Sequence, residues 1–438
     1  MDHWSRLRLY ASRIQCLNHN SSDEISPHVF EYLAKAQGDT VLLPNLRHII
    51  WRSSRTTGPE LSLLVAPGIK VANIRPYRYV GMIDSSEGAE DDQGVKNLEL
   101  GAILESLSST ALTLEHLEIE GSLTSSSTSS IARSQQLRTL DISSCGSWSD
   151  PETFYGLASL KHLAELKINV SETLILHRVY PEPSFHSLQN LAISGTPFSL
   201  RSVFHSISSK QLHAIRVGGD YSYTPVEWQP CFDVLRSQFC NTLTSFQMNL
   251  VLGCLSMTRE SEDIMDIVRP LLHIPILQMV SLDLEGHLRI NDADVTAMAE
   301  AWGELRYLRV WCHKSGKGPS LDSLVVCAAK CPHLQQLALP VDASRPSAPN
   351  KHHSSQPSTS LDTLDPPPDV VSDAMRSLAL LGNVGITDSE WVSSRIRSLF
   401  PHLRYFEAHA WDPSMAKMWD QVRRSIPHLR RRRRVRGH

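Results

Sequence analysis

The spacing with the most chemical promise lies between Cys312 and His333. Cys327 and Cys331, four residues apart, share one helical face, and Cys331-x-His333 adds an imidazole. Thiolate and imidazole together suit zinc, and Cys312 and His313 lie nearby in sequence. Two features weigh against a metal. The paired Cys-x-x-Cys spacing is missing, and Cys331-Pro332 occupies a helix-ending position where a buried cysteine packs as a small hydrophobe. No metal and no cofactor are therefore expected. HKSGKGPS, from His313 to Ser320, has the look of a phosphate loop but fails as one: the required first glycine falls at Trp311, and no Ser or Thr follows Lys317. Neither a G-x-S-x-G nor an H-E-x-x-H motif occurs. Among the 20 histidines, His116, His162, His186 and His213 recur at similar loop or strand-edge positions, the mark of solvent-facing side chains. The chain reads as a non-enzyme.

Binding chemistry is more legible. If Leu308 and Val310 point inward on a strand, alternation turns Tyr307, Arg309 and Trp311 to the opposite, concave face. By the same rule Tyr405, Glu407 and His409 emerge on that face two repeats further on, while Glu118, Glu120, Asp141 and Glu165 make its N-terminal part acidic. Aromatic and arginine side chains dominate binding hot spots, so the C-terminal half of the face is the expected partner site. The basic run Arg430, Arg431, Arg432, Arg433, Arg434 and Arg436, with Arg423 and Arg424 before it, reads either as a nuclear-import signal or as a solvated tail.

These residues must be positioned by a repeat. Met279 to Cys312 opens with Met279, Leu282 and Leu284 in an LxxLxL rhythm. Asn291 or Asp292 can cap the helix that follows, and Ile290, Val295, Met298, Ala299 and Trp302 give it an apolar side. Leu305, Leu308 and Val310 then restart the strand. Such a unit cannot bury its own apolar faces and must stack against copies of itself. Copies are anchored at Leu114, Leu137, Leu163, Leu188 and Leu212, spaced by about 23 to 26 residues, a leucine-rich-repeat period. Further copies contain Leu243, Leu334, Met375 and Leu403. The expected fold is α/β: a leucine-rich-repeat solenoid, or horseshoe, with a parallel concave sheet and helices on the convex face. Its organisation would be an N-terminal helical cap over residues 1–40, the solenoid over 41–340, a Pro/Ser/His-rich insertion over 341–370, further repeats over 371–412, and a helix with a basic tail over 413–438. The strand rhythm starts at Leu46, a polar acidic loop spans Asp84 to Gln93 ahead of a helix from Leu98 to Leu107, and Ser261 to Leu272 reads as another helix.

Bulk composition narrows the partners. The 438 residues are 41% hydrophobic and 20% charged, with a net charge of −3, so neither nucleic acid nor a membrane surface is a general partner. Arg269 and Pro270 interrupt the most apolar stretch, Ile264 to Val280, and the N-terminal MDHWSRLRLYASRIQ lacks the apolar centre of a secretory signal. A cytoplasmic or nuclear protein with 8 reduced cysteines is expected.

Some motifs are more specific than leucine periodicity. RINDADVTAMAEAWGELRYLRV, from Arg289, and ITDSEWVSSRIRSLFPHLRYFEA, from Ile386, share an I-x-D, helix, P/G-x-L-x-x-L layout; LRTLDISSC, ending at Cys145, and CPHLQQLAL, from Cys331, add the cysteines. Together they resemble the cysteine-containing leucine-rich repeats of many F-box proteins. RLYASRIQCL and LLPNLRHIIW resemble the segment that follows the F-box in a large group of fungal F-box and leucine-rich-repeat proteins. The resemblance implies a substrate receptor of a cullin-type ubiquitin ligase, whose partners would be a protein substrate and the ligase's adaptor subunit. In one respect the chain departs from that pattern. The three-helix F-box is not evident: ISPHVFEYL, from Ile25, is superficially similar, but AKAQGDTVLLPNL leaves no room for further helices before the repeats. A capping helix is the plainer reading of that segment, and a free-standing interaction scaffold is the alternative function.

Overall fold

A computed structural model describes residues 3–20, 26–38, 40–53, 58–76, 89–121, 123–174, 176, 184–219, 223–251, 262–285, 288–312, 318–344, 370–381, 385–408, 413–426 and 429. The chain forms two compact units, Met1–Leu212 and His213–His438.

In the first unit the strands are β1 (Cys16–Asn20), β2 (His48–Ser53), β3 (Val71–Pro76), β4 (His116–Glu120), β5 (Thr139–Ser144), β6 (Glu165–Asn169) and β7 (Asn190–Ser194). Each pairs in parallel with the next in chain order. α1 (His3–Ala11) precedes β1, and the connections hold α2 (Pro27–Gln37), α3 (Gly58–Leu64), α4 (Ala89–Thr110), α5 (Ser125–Arg133), α6 (Pro151–Ala158) and, after β7, α7 (Pro197–Ser206). Sequential parallel pairing needs a crossover after every strand, so all helices fall on one face of the sheet. That face is buried by matched rows such as Ile49, Ala72, Leu117, Leu140, Leu166 and Leu191.

The second unit repeats the plan with β8 (Ala214–Gly219), β9 (Ser245–Val251), β10 (Glu262–Asp263), β11 (Met279–Glu285), β12 (Leu288–Arg289), β13 (Tyr307–Cys312), β14 (Gln336–Leu339), β15 (Ser377–Leu380) and β16 (Tyr405–Ala408). Its helices are α8 (Pro225–Phe239), α9 (Met265–Val268), α10 (Asp292–Ala301), α11 (Asp322–Lys330), α12 (Ser389–Leu399) and α13 (Pro413–Ser425). β8, β9, β11, β13, β14, β15 and β16 form the parallel sheet, and β10 pairs with β12 apart from it. Both units are leucine-rich-repeat stacks, as the periodicity predicts.

Several local expectations change. The strand array starts earlier than Leu46: β1 lies between the two N-terminal helices and pairs with β2, with His19 packed 4.3 Å from the Trp51 ring. CLNHN was passed over because it carries a single aliphatic residue. α1 and α2 are less buried than their apolar spacing suggests, with Leu7, Leu9, Tyr10 and Val29 exposed. α4 begins at Ala89, inside the stretch expected to be a loop, because an acidic run is as compatible with a helix start as with a loop. The expected helix over 261–272 is broken. Within it β10 gives way to the single turn of α9 and then to a 3-10 turn, Arg269–His273. Pro270 has no N–H to continue an α-helix. The Pro/Ser/His-rich insertion also starts later than residue 341. Val341 and Ala343 are fully buried, Asp342 bridges Ser320, and Ala343 bridges Ile386. Residues 345–369 lie outside the described set, as does the basic tail from Arg430 to Arg434 with Arg436.

The I-x-D motifs do their work at helix starts. Asn291 is the cap of α10: its side-chain oxygen accepts from the Ala293 N–H at 2.8 Å and the Asp294 N–H at 3.2 Å, while Asp294 accepts the Asn291 N–H at 2.8 Å. Burial pushes the Asp294 carboxyl up despite that last bond, and the charge of Asp263 adds to the effect. Asp292 bonds the next repeat instead, accepting from the Ser320 N–H at 2.8 Å and the Ser323 hydroxyl at 2.5 Å. In the second copy Asp388 is the cap itself, accepting from Glu390 and Trp391 N–H at 3.1 and 3.0 Å.

α11 and α12 are joined directly by a side-chain pair. Arg395 of α12, 6% exposed, pairs with Asp322 of α11, and its guanidinium lies 5.6 Å from the Trp391 ring. Removing the carboxylate takes this pairing from a buried cation, whereas replacing the cation by an apolar chain of similar length leaves no buried charge to pair. Asp322→Ala is expected to lower the free energy of unfolding by about 2 kcal/mol, and Arg395→Met to change it by about 1 kcal/mol or less. Urea unfolding of the two variants checks the order; a larger loss for Arg395→Met would contradict it.

Candidate protein-binding face

Register decides which side chains meet on the outward face of the second unit. Leu308 and Val310 of β13 are buried, which turns Tyr307, Arg309 and Trp311 outward as expected. Arg309 is held from two sides: its guanidinium sits 5.8 Å from the Trp311 ring, and its Nη2 donates to Asp283 Oδ2 of β11 at 3.4 Å. Its Nε is buried and makes no hydrogen bond. Stacking on the indole and pairing with Asp283 hold the guanidinium in one place on the outward face.

The neighbour on the other side of Tyr307 is a correction. Met279 does not anchor the core; it pairs in register with Tyr307, is 36% exposed, and belongs to the outward face. The inward residues of β11 are Val280, Leu282 and Leu284, preceded by the buried Leu277. The repeat frame is therefore Leu277, Val280 and Leu282, matching Leu305, Leu308 and Val310. A period of two allows only one parity to face inward, and position 279 has the wrong one. Gln247 Nε2 and Ser245 Oγ reach the Met279 sulfur at 3.3 and 3.4 Å, which steadies that flexible side chain.

Tyr405 and Glu407 also face outward, on β16. They stand three strands from β13, not two repeats, because β14 and β15 both intervene. Tyr307, Gln336, Ser377 and Tyr405 form one row, and Arg309, Ala338, Ala379 and Glu407 the next. The two alanines had no signal in sequence beyond their parity. His409 lies outside the described residues.

The first unit's outward face holds Glu118, Glu120, Asp141 and Glu165, and two cations stand among them. Arg75 of β3 pairs with Glu118 and with Glu120, the latter at 3.3 Å, and Asn73 donates to Glu118 at 2.5 Å. Lys167 of β6 reaches Asp141 at 2.9 Å and Glu165 at 3.9 Å. Glu118 and Asp141 are direct register partners, and like charges so placed repel unless each has its own cation. Burial raises the Asp141 pKa, but the hydrogen bonds from Lys167 and Ser143 outweigh it and hold the carboxyl below its usual range. Lys167 is raised in turn, chiefly by its bond to Asp141. Two cations, Arg75 of β3 and Lys167 of β6, thus partly offset the four acids, which a search for acidic positions alone overlooks.

The cysteines take structural positions. Cys331 Sγ lies 3.6 Å from the Ala299 carbonyl and 3.7 Å from that of Trp302, and Cys145 Sγ lies 3.1 Å from the Ile119 carbonyl. Each thiol donates to backbone of the preceding repeat. Burial pushes the Cys331 thiol up to about 11 and the Cys327 thiol higher still. Among the described residues no group of three His, Cys, Asp or Glu side chains is placed to hold a metal ion, and no helix is long and apolar enough to cross a membrane.

No family model and no curated protein matches the chain. Solved structures with a similar course include an internalin from Listeria monocytogenes, at 13% identity and a TM-score of 0.43, covering 97% of this chain and 87% of that one. A leucine-rich-repeat protein from Leptospira interrogans is similar at 12% identity and 0.45, covering 97% of each chain. The yeast complex of Rad7 and Elc1 gives 17% identity and 0.40, covering 78% of this chain and 86% of the other. Likeness at this level identifies neither a family nor a partner.

The thiol geometry is open to direct test. With iodoacetamide at about pH 8, the exposed Cys16 is expected to be alkylated in the native protein while Cys145, Cys231, Cys327 and Cys331 are spared until denaturant is added. Peptide mass spectrometry reads the sites; native labelling of Cys331 would contradict its burial.

Proposed function

We propose that this chain is a non-enzymatic, protein-binding leucine-rich-repeat module that serves as an F-box-like substrate receptor for a cullin-type ubiquitin ligase. The binding part rests on one observation: Tyr307, Arg309 and Trp311 stand together on the outward face of β13, with Arg309 stacked on Trp311 and Met279 alongside. Large amphipathic side chains clustered on a rigid sheet lose little entropy on binding, which is why such clusters carry interface energy. Tyr405 and Glu407 extend the face. The ligase part rests on the resemblance of the I-x-D repeats and the N-terminal segments to F-box and leucine-rich-repeat proteins. On this reading the protein works in the cytoplasm or nucleus, and Arg430 to Arg434 with Arg436 serve as an import signal.

One observation favours the second reading, a free-standing scaffold with no ubiquitin role. β1 precedes α2, so the helix from ISPHVFEYL is the crossover of the first repeat and not part of an F-box module. Affinity purification separates the two readings: co-recovery of a cullin adaptor supports the receptor, and its repeated absence supports the scaffold.

The binding face has its own test. Trp311→Ala with Arg309→Ala is expected to abolish capture of the protein partner, with the melting temperature within a few degrees of wild type because neither side chain is in the core. Undiminished capture would sink the assignment.

A further inference from the structure

α1 is held to the first unit along one side only. Ala11 is its one buried residue, Trp4 is half-buried, and Arg8 donates to the Thr40 hydroxyl at 3.4 Å while lying 5.5 Å from the Trp4 ring. The Asn45 amide then donates to the Ser12 carbonyl at 2.7 Å. Ser12 and Arg13 N–H bond the Arg8 and Tyr10 carbonyls, which carries the helical course on to Arg13. At about 3.6 residues per turn, Arg6, Leu9, Tyr10 and Arg13 fall on the side opposite Ala11. All four are exposed, Leu9 by 44% and Tyr10 by 58%.

This face is not an ordinary solvated one. Leucine and tyrosine stand between two arginines, the composition of an interface rather than of a wet helix side. No acidic residue occurs between His3 and Gln15, and among the described residues no carboxylate pairs with Arg6 or Arg13. Short helices are marginal in water unless packing holds them, and one buried alanine supplies little packing to the nine residues of α1. α13 shows the contrast within the second unit: its Trp419 and Val422 are buried, and Trp419 lies 6.0 Å from the Phe406 ring.

Charge selects the occupant. A second copy docked through the same face would set Arg6 and Arg13 against themselves, which like charges oppose. A bilayer takes up a helix whose apolar side is free, but the side with Trp4 and Ala11 is turned to the chain and only Leu9 and Tyr10 are left to insert. An acidic protein segment meets both the cations and the apolar pair. We infer that the outward face of α1 docks such a segment of a partner protein, with two carboxylates about 10 Å apart reaching Arg6 and Arg13 and apolar side chains between them covering Leu9 and Tyr10. The site uses nothing of the β13 face and goes beyond the reading above.

Linear peptides displayed on phage and selected on the full chain test it, after subtraction of those that also bind the variant Arg6→Glu with Arg13→Glu. Subtraction removes binders of the β13 face, so the two assignments fail separately. The surviving peptides are expected to carry acids on both sides of apolar residues and to lose about tenfold or more in affinity on Tyr10→Ala. Copies with lysine in place of each acid should bind the Glu variant and not the wild type, a gain that misfolding cannot mimic. Vesicles of phosphatidylserine and phosphatidylcholine should leave the wild-type chain in solution. Survivors without acids, survivors indifferent to Tyr10→Ala, or no survivor would overturn the docking site. Sedimentation with the vesicles that the Glu variant abolishes would overturn it in favour of a lipid surface.

Discussion

Everything in this protein depends on the parity of its strands. A repeat of one short strand and its crossover has too little apolar surface to fold alone, so each inward row must meet the matching row of its neighbour. Val280 meets Phe246 and Leu308, and Leu308 meets Leu337, with no slip across the second unit. A slip by one residue would bury Tyr307 and Arg309 and expose Leu308, so the constraint that builds the core also sets the outward face. The binding residues need no positioning device of their own. Their spacing is the strand spacing, and their rigidity is that of the sheet.

The connections carry what parity cannot. Caps begin the helices, thiols and indoles tie successive repeats, and each tie runs from a side chain to backbone one repeat away. Trp302 Nε1 donates to the Leu271 carbonyl at 3.1 Å, and Cys331 lies against the Trp302 carbonyl. Side-chain to backbone contacts of this kind tolerate sequence drift in the partner, which accounts for repeats that are degenerate in sequence and regular in space. Where the chain lacks a described helix, between β6 and β7, the buried Phe185 adopts φ 55° and packs 5.3 Å from Phe154. A left-handed backbone is costly for an aromatic residue, and burial against Phe154 helps to hold it.

The repeats were legible because leucine spacing reports burial directly. Leu305, Leu308 and Val310 sit where the rhythm puts them, and so do Tyr307, Arg309 and Trp311 by exclusion. Met279 was misread because methionine fits a leucine pattern and the true anchor, Leu277, lies in the turn before the strand. β1 was missed because CLNHN carries its packing in His19, whose stacking on Trp51 has no hydropathy signal. On the first unit the positions of Glu118 and Asp141 follow from alternation, but their pairing with Arg75 and Lys167 from adjacent strands is invisible until register is known.

The central claim is that the outward face around β13 is where this protein is recognised. A photo-crosslinking amino acid placed at Tyr307, in cells, tests it most directly, with the same group at Thr139 on the first unit's outward face as comparison. The account predicts a discrete covalent adduct from position 307 and none from 139. An adduct from 139 with none from 307 would contradict it.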